Sequence, residues 1–332
     1  MTNNVNVSDL FDSGKNKNKQ ESNPQNVKFD AKNYLNTRLE KNEKTKEIKV
    51  RIILTQDSDG VYKVAIPVEV HSLKLNGEQN KDFKVTTSGY KSFICLNDKH
   101  IDVSDKGCPL CDKIKKLFNE ANKFKEENPE HIEQHKALCK QAFSYQTKTA
   151  YIVRVIERGH EDEGIKFWRF NHHDDGSGIF DTLQKFALLY QGQEKENIFD
   201  YKEGRDIVIN LAKSVDANKK EKTTITLMVD TKKTPLADSE EQINEWVNDQ
   251  KDWRDMYRAK SYDYLQLIAD NKTPVFDKKQ NKFVAYNDTS ETDANVDEHD
   301  NTADVNETSQ KPLTITKSAM RITPEEDEDL PF

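Results

Sequence analysis

The chain has 332 residues, 34% hydrophobic and 33% charged, with a formal net charge of -8. That apolar fraction suits one or two modest cores with solvated flanks. No apolar run is long enough to span a bilayer, and the opening MTNNVNVSDL lacks the basic-then-apolar order of a signal peptide, so a cytoplasmic location with reduced cysteines is expected.

Residues 1–30 are rich in Asn, Lys, Ser and Gln and read as a disordered arm, at most a short docking segment. KEIKVRIILTQDSDGVYKVAIPVEVHSL then predicts a hairpin turning at Ser-Asp-Gly, with strands near 48–54 and 61–70. A Cys/His-bearing stretch, 90–112, follows. Leu110, Ile114, Leu117, Phe118, Ala121 and Phe124 recur at helical spacing, which predicts an amphipathic helix ending before Pro129 and a second over 130–142. KTAYIVRVIER and GIKFWRF read as strands, SGIFDTLQKFALLY as a helix, and RDIVINLAKSV with KTTITLMVD as another strand pair. SEEQINEWVNDQKDWRDMYR and SYDYLQLIADN are helical, and their aromatics Trp246, Trp253, Tyr257, Tyr262 and Tyr264 read as core. The expected class is mainly β with inserted helices (α+β): a small Greek-key barrel over 31–286, with a metal-bearing insert near 71–143 and a helical part near 238–271.

Charge is unevenly spread. Residues 287–332 hold 13 acids against 3 bases, a net -10, and leave 1–286 with 48 bases against 46 acids, a net +2. Such a segment reads as an unstructured tail that competes with a polyanion for a basic groove. Its last stretch, EEDEDLPF, sets Leu330, Pro331 and Phe332 behind Asp327, Glu328 and Asp329. That is either the bland end of a disordered tail or a hook held out to partner proteins.

CLNDKHIDVSDKGCPLC places Cys95 ahead of Cys108 and Cys111, whose C-x2-C spacing at a helix start sets two thiolates about one tetrahedral edge apart. Cys95 is the natural third ligand of a zinc ion. His71, His100 and Cys139 are all open as the fourth. A full four-ligand shell has no open position, so such a zinc is structural.

Along GIKFWRF, Lys166, Trp168 and Phe170 share one face and Ile165, Phe167 and Arg169 the other. On the preceding strand Tyr151 lies opposite Arg154. An aromatic face carrying a Lys is a base-stacking platform with a phosphate contact, and buried core is the competing reading. No phosphate loop, dinucleotide motif or Ser/His/Asp arrangement is found. NHHDDGSG sets His172, His173, Asp174 and Asp175 side by side, a spacing that does not share one helix face. No enzyme is expected.

The order His71, Cys95, Cys108-Pro-Leu-Cys111, then KTAYIVRV, then KFWRF resembles the single-stranded-DNA-binding proteins of T-even bacteriophages. The resemblance spans roughly 48–189 and implies an OB-fold with one structural zinc held by His71, Cys95, Cys108 and Cys111. It implies a DNA cleft lined from the Lys-Thr-x-Tyr strand (Lys148, Tyr151, with Arg154) and the aromatic-Arg-Phe strand (Lys166, Trp168, Arg169, Phe170). The segment NGEQNKDFKVTTSGY lengthens the His71–Cys95 gap relative to that family. The tip Asp327–Phe332 is similar to that of bacterial single-stranded-DNA-binding proteins, which docks replication and repair enzymes. The expected function is therefore non-enzymatic, largely sequence-independent single-stranded-DNA binding in replication, recombination and repair, in a phage-encoded protein. A zinc-containing transcription or RNA-binding factor is the alternative.

Overall fold

AYIVRVI, a run of mostly branched apolar residues, forms the middle of the strand around which the sheet is built. The computed structural model describes residues 7–11, 30–56, 60–74, 90–101, 106–215, 221–277 and 280–286. In chain order its elements are α1 (Val7–Leu10), β1 (Thr45–Ile53), β2 (Thr55–Gln56), β3 (Tyr62–Lys63), β4 (Ile66–Lys74), β5 (Tyr90–Ile94), α2 (Pro109–Glu127), α3 (Ile132–Phe143), β6 (Thr147–Glu157), β7 (Lys166–Asn171), α4 (Ile179–Glu194), β8 (Arg205–Val215), β9 (Glu221–Lys233), α5 (Glu240–Val247), α6 (Trp253–Met256), α7 (Tyr262–Ala269), β10 (Pro274–Asp277) and β11 (Lys282–Ala285). The tail 287–332, with Asp327 to Phe332, lies outside the described residues. No helix among the described residues is long and apolar enough to cross a membrane.

The fold is α+β. Seven strands form one sheet in the order β5-β4-β6-β1-β8-β9, with β7 also on β6, and every pairing in it is antiparallel. Among the described residues this sheet is open and does not close into a barrel. The strand β6 has three partners. Residues 147–152 pair with β4 and 154–157 with β1, while β7 pairs with 150–155. The overlaps place β7 on one edge and set β4 and β1 end to end along the other.

This corrects the expected hairpin. The strands near 48–54 and 61–70 do not pair with each other; only the two-residue β2 and β3 do, at the turn between them. The reason lies in β6, which is buried from Ala150 to Ile156 on both faces and offers a longer apolar edge than either strand offers the other.

Side-chain alternation on β6 separates two cores. Tyr151, Val153 and Val155 join Trp168, Phe170 and Leu183 in the first, while Ala150 and Ile152 join Val68, Val70, Trp253 and Leu265 in the second. The arm expected to be disordered contributes to the first core. Val7 and Leu10 of α1 are buried, the Leu10 carbonyl accepts the Val64 N–H at 3.0 Å, and Phe11 packs edge-on against Phe180. Those two apolar residues and Phe11 offset the local ordering entropy, which polarity averaged over 1–30 hides.

One buried ion cluster ties β1 to β8. Arg51 is fully buried. Its Nε donates to Asp206 at 2.8 Å, and its two terminal nitrogens donate to the Asp200 carbonyl and to Thr234. Arg158 donates to the same carboxylate at 3.0 Å. Removing one member of such a cluster strands the others in a low dielectric. Asp206→Ala is expected to cost about 3–5 kcal/mol, seen as a lower urea midpoint.

Candidate metal centre and adjoining cleft

Three stretches of chain converge beside the second core. The end of β4 brings His71, the residue after β5 is Cys95, and the start of α2 brings Cys108 and Cys111. His71 Nε2 lies 3.5 Å from Cys108 Sγ and 3.7 Å from Cys111 Sγ, and Cys95 Sγ is 3.5 Å from Cys111 Sγ. All four donor atoms lie within 4.8 Å of one another. A tetrahedral ion with metal–sulfur bonds of ~2.3 Å and metal–nitrogen bonds of ~2.0 Å has edges of roughly 3.5–3.8 Å, so the cluster has the dimensions of a single metal site.

The surroundings prepare these ligands. His71 Nδ1 lies 2.6 Å from the Tyr145 carbonyl, so Nδ1–H donates there and leaves the Nε2 lone pair facing the sulfurs. Cys108 is the N-cap of α2 and Pro109 follows it, which aims the helix N-terminus and its partial positive charge at the thiols. Hydrogen bonds from Cys111 and Cys95 hold Cys108 far below the ordinary thiol range, against the effect of burial. Hydrogen bonds to Cys108 and Cys111, with burial, push Cys95 up. Burial pulls His71 down, but its hydrogen bonds to Cys108 and Cys111 and to the Tyr145 carbonyl outweigh that and hold its pKa at about 9. Without a metal the pocket thus stores protons that a cation displaces on binding.

The other two candidates for the fourth ligand are engaged elsewhere. His100 Nδ1 pairs with Asp98 at 2.9 Å, and Cys139 pairs with His135 Nε2 at 3.4 Å along α3.

The turn that follows Cys95 is tied back to the sheet. Asp98 N–H donates to the Cys95 carbonyl, and Asp98 Oδ2 accepts the Glu69 N–H at 2.6 Å. Asn97, Asp98 and Lys99 thereby wall a cleft of about 370 Å3. Its floor is the sheet surface: Glu69 and Pro67 on β4 stand opposite Thr149 and Tyr151 on β6, and His172 follows at the end of β7. The Tyr151 ring stacks on Phe180 at 3.9 Å and meets His172 edge-on. Burial, then Asp181 and Glu69, raise the Tyr151 phenol above its ordinary range.

Of the residues expected to line a DNA groove, only Tyr151 lines this cleft. Lys148 is exposed on β6, opposite Val70 in register. Four others require correction. Trp168 is 1% exposed and Phe170 is buried beside it, their centroids 4.8 Å apart, so neither offers a ring face to a base. Lys166 is buried between Glu157 at 2.5 Å and Glu163 at 2.6 Å, and holds no charge out for phosphate. Buried Arg154 donates to the Trp246 and Asp249 carbonyls, both at 3.1 Å, and so caps the end of α5. Arg169 lies on the opposite face, half-buried, with its guanidinium 5.7 Å from the Tyr257 ring centroid. Sequence reasoning missed Glu69, Asn97, Asp98, Thr149 and His172. The only signal was the alternation that sets Glu69 on the Pro67 face of β4.

A scan of protein-family models and a search of curated proteins found no match to this chain.

Elemental analysis is expected to find one metal per chain, lost in Cys108→Ser and kept in His100→Ala. Chelation is expected to lower the melting temperature, since metal binding at such a site is folding free energy. Trp168→Ala is expected to cost about 3–5 kcal/mol of stability, measured by denaturant unfolding, as truncation of a large core ring does.

Proposed function

We propose that this chain is a non-enzymatic single-stranded-DNA-binding protein whose sheet is an OB-fold and whose His71/Cys95/Cys108/Cys111 cluster holds one structural zinc ion. The observation that carries the reading is the cleft over Tyr151, walled by the turn that Cys95 anchors. A single-stranded base enters a cleft of about 370 Å3, whereas a stacked, paired base does not. The open, antiparallel sheet, with β6 dividing one edge between β4 and β1, supports the OB-fold assignment, since that fold is a partly open Greek-key barrel. Three thiolates and one imidazole, with no fifth donor among the described residues, suit zinc in a structural role. When bound, that ion supplies cross-linking, and the chain itself does the rest: Asp98 fixes the turn to β4, and Tyr151 and Thr149 present the floor. Lys99 in the wall and Lys148 beyond the floor are placed to meet the sugar-phosphate backbone.

In this reading the protein acts in the cytoplasm of a phage-infected bacterium, in replication, recombination and repair. The acidic stretch 287–332 competes with DNA for the body and contacts partner enzymes through Asp327 to Phe332.

Gel shifts in rising salt with single-stranded DNA, duplex DNA and RNA test the reading. Single-stranded DNA is expected to bind tightest, with affinity falling as salt rises. Tyr151→Ala is expected to weaken that binding by ~1–3 kcal/mol while circular dichroism stays native. Deleting 287–332 is expected to tighten it, most at low salt. Preference for duplex or RNA overturns the proposal.

A further inference from the structure

The charge of the cleft is the reverse of what a phosphate site needs. Two carboxylates, Glu69 and Asp98, lie among its lining residues. Asp98 is fully occupied: Oδ2 accepts the Glu69 N–H, and Oδ1 accepts the His100 N–H at 2.8 Å and meets His100 Nδ1. Glu69 is not. Its Oε1 accepts the Thr149 hydroxyl at 3.0 Å, and Oε2 has no hydrogen-bond partner among the described residues. One half-buried carboxylate oxygen therefore faces a cleft of nucleoside size with its acceptor capacity unspent. At the other end of the same row, the His172 N–H donates to the Thr149 carbonyl at 2.8 Å, and His172 Nε2 lies 3.5 Å from Asp174 Oδ1.

We propose that this cleft is a guanine-reading subsite in which Glu69 accepts the paired N1–H and N2–H donors of a single-stranded guanine base. The proposal rests on the single-stranded-DNA reading and adds a base preference to it. Guanine is the base whose Watson–Crick edge sets two N–H donors side by side, which matches a carboxylate as a bidentate, charge-assisted pair. Thymine brings one N–H between two carbonyl oxygens, and those oxygens repel the Glu69 carboxylate. Cytosine and adenine each bring one amino group beside a ring-nitrogen acceptor. The acidic floor thus discriminates by repulsion as well as by attraction.

The experiment is fluorescence anisotropy on the full chain with dT8 and with dT8 carrying one central dG, dA, dC or deoxyinosine. The dG oligomer is expected to bind about tenfold tighter than dT8, the size of one good bidentate base contact. Deoxyinosine, which lacks the N2 amino group, should lose most of that gain in the wild-type protein, so the test does not depend on any variant folding. Glu69→Ala is expected to abolish the dG preference, so that the dG oligomer binds no tighter than dT8. A dG oligomer that binds no tighter than dT8, or no tighter than the deoxyinosine form, overturns the guanine subsite and leaves single-stranded-DNA binding standing. Absence of binding to every oligomer overturns both.

Discussion

Four side chains meeting at one point hold the cleft in shape. His71 belongs to the sheet, Cys95 to the turn that leaves it, and Cys108 and Cys111 to the helix that returns. Long stretches of chain separate them, and closing such loops costs entropy that local contacts do not repay. The second core helps, since Cys95 and Cys108 are buried among Leu110, Trp253 and Leu265. Yet the sulfurs and the imidazole are polar groups in an apolar pocket, and burying them without a partner is unfavourable. Their mutual hydrogen bonds offset part of that cost, and a cation held among them would offset the rest. The stability of the wall at Asn97 to Lys99 is therefore coupled to the state of the cluster through the Cys95 carbonyl and the Asp98 carboxylate.

The sheet supplies the other half of the cleft through β6. That strand gives β4 and β1 successive stretches of one edge and β7 the other. Side-chain alternation along it separates the two cores and sets Thr149 and Tyr151 along the cleft.

Two cations expected in a groove, Lys166 and Arg154, serve as internal fasteners, as do Arg51 and Arg158 elsewhere in the molecule. Arg51 and Arg158 share Asp206, Lys166 bridges Glu157 and Glu163, and Arg154 caps α5. This consumption of charge inside the molecule leaves the cleft with an acidic floor, while cations such as Lys148 remain exposed on the sheet.

Element types were legible from the chain alone, because periodicity reports them directly: α2, α3, α4 and α7 follow 3.6-residue apolar spacing, and β6, β8 and β9 follow β-rich runs. The three cysteines were legible too, since C-x2-C at a helix start is a local geometry. His71 was separable from His100 and Cys139 only by resemblance, and the structure brings His71 alone of these to the cysteines. Strand partners were not legible. The sequence favours the nearest pairing, across Ser-Asp-Gly, whereas β1 and β4 each gain more from the buried edge of β6, far along the chain. Burial of the aromatics was equally undetermined, because alternation names two faces and not which one a second layer covers; α1 and α4 cover that of Trp168. The cleft residues Glu69, Thr149 and His172 come from three strands with no shared motif. Only the register between those strands sets them in one row, and register follows from long-range burial that no local pattern encodes.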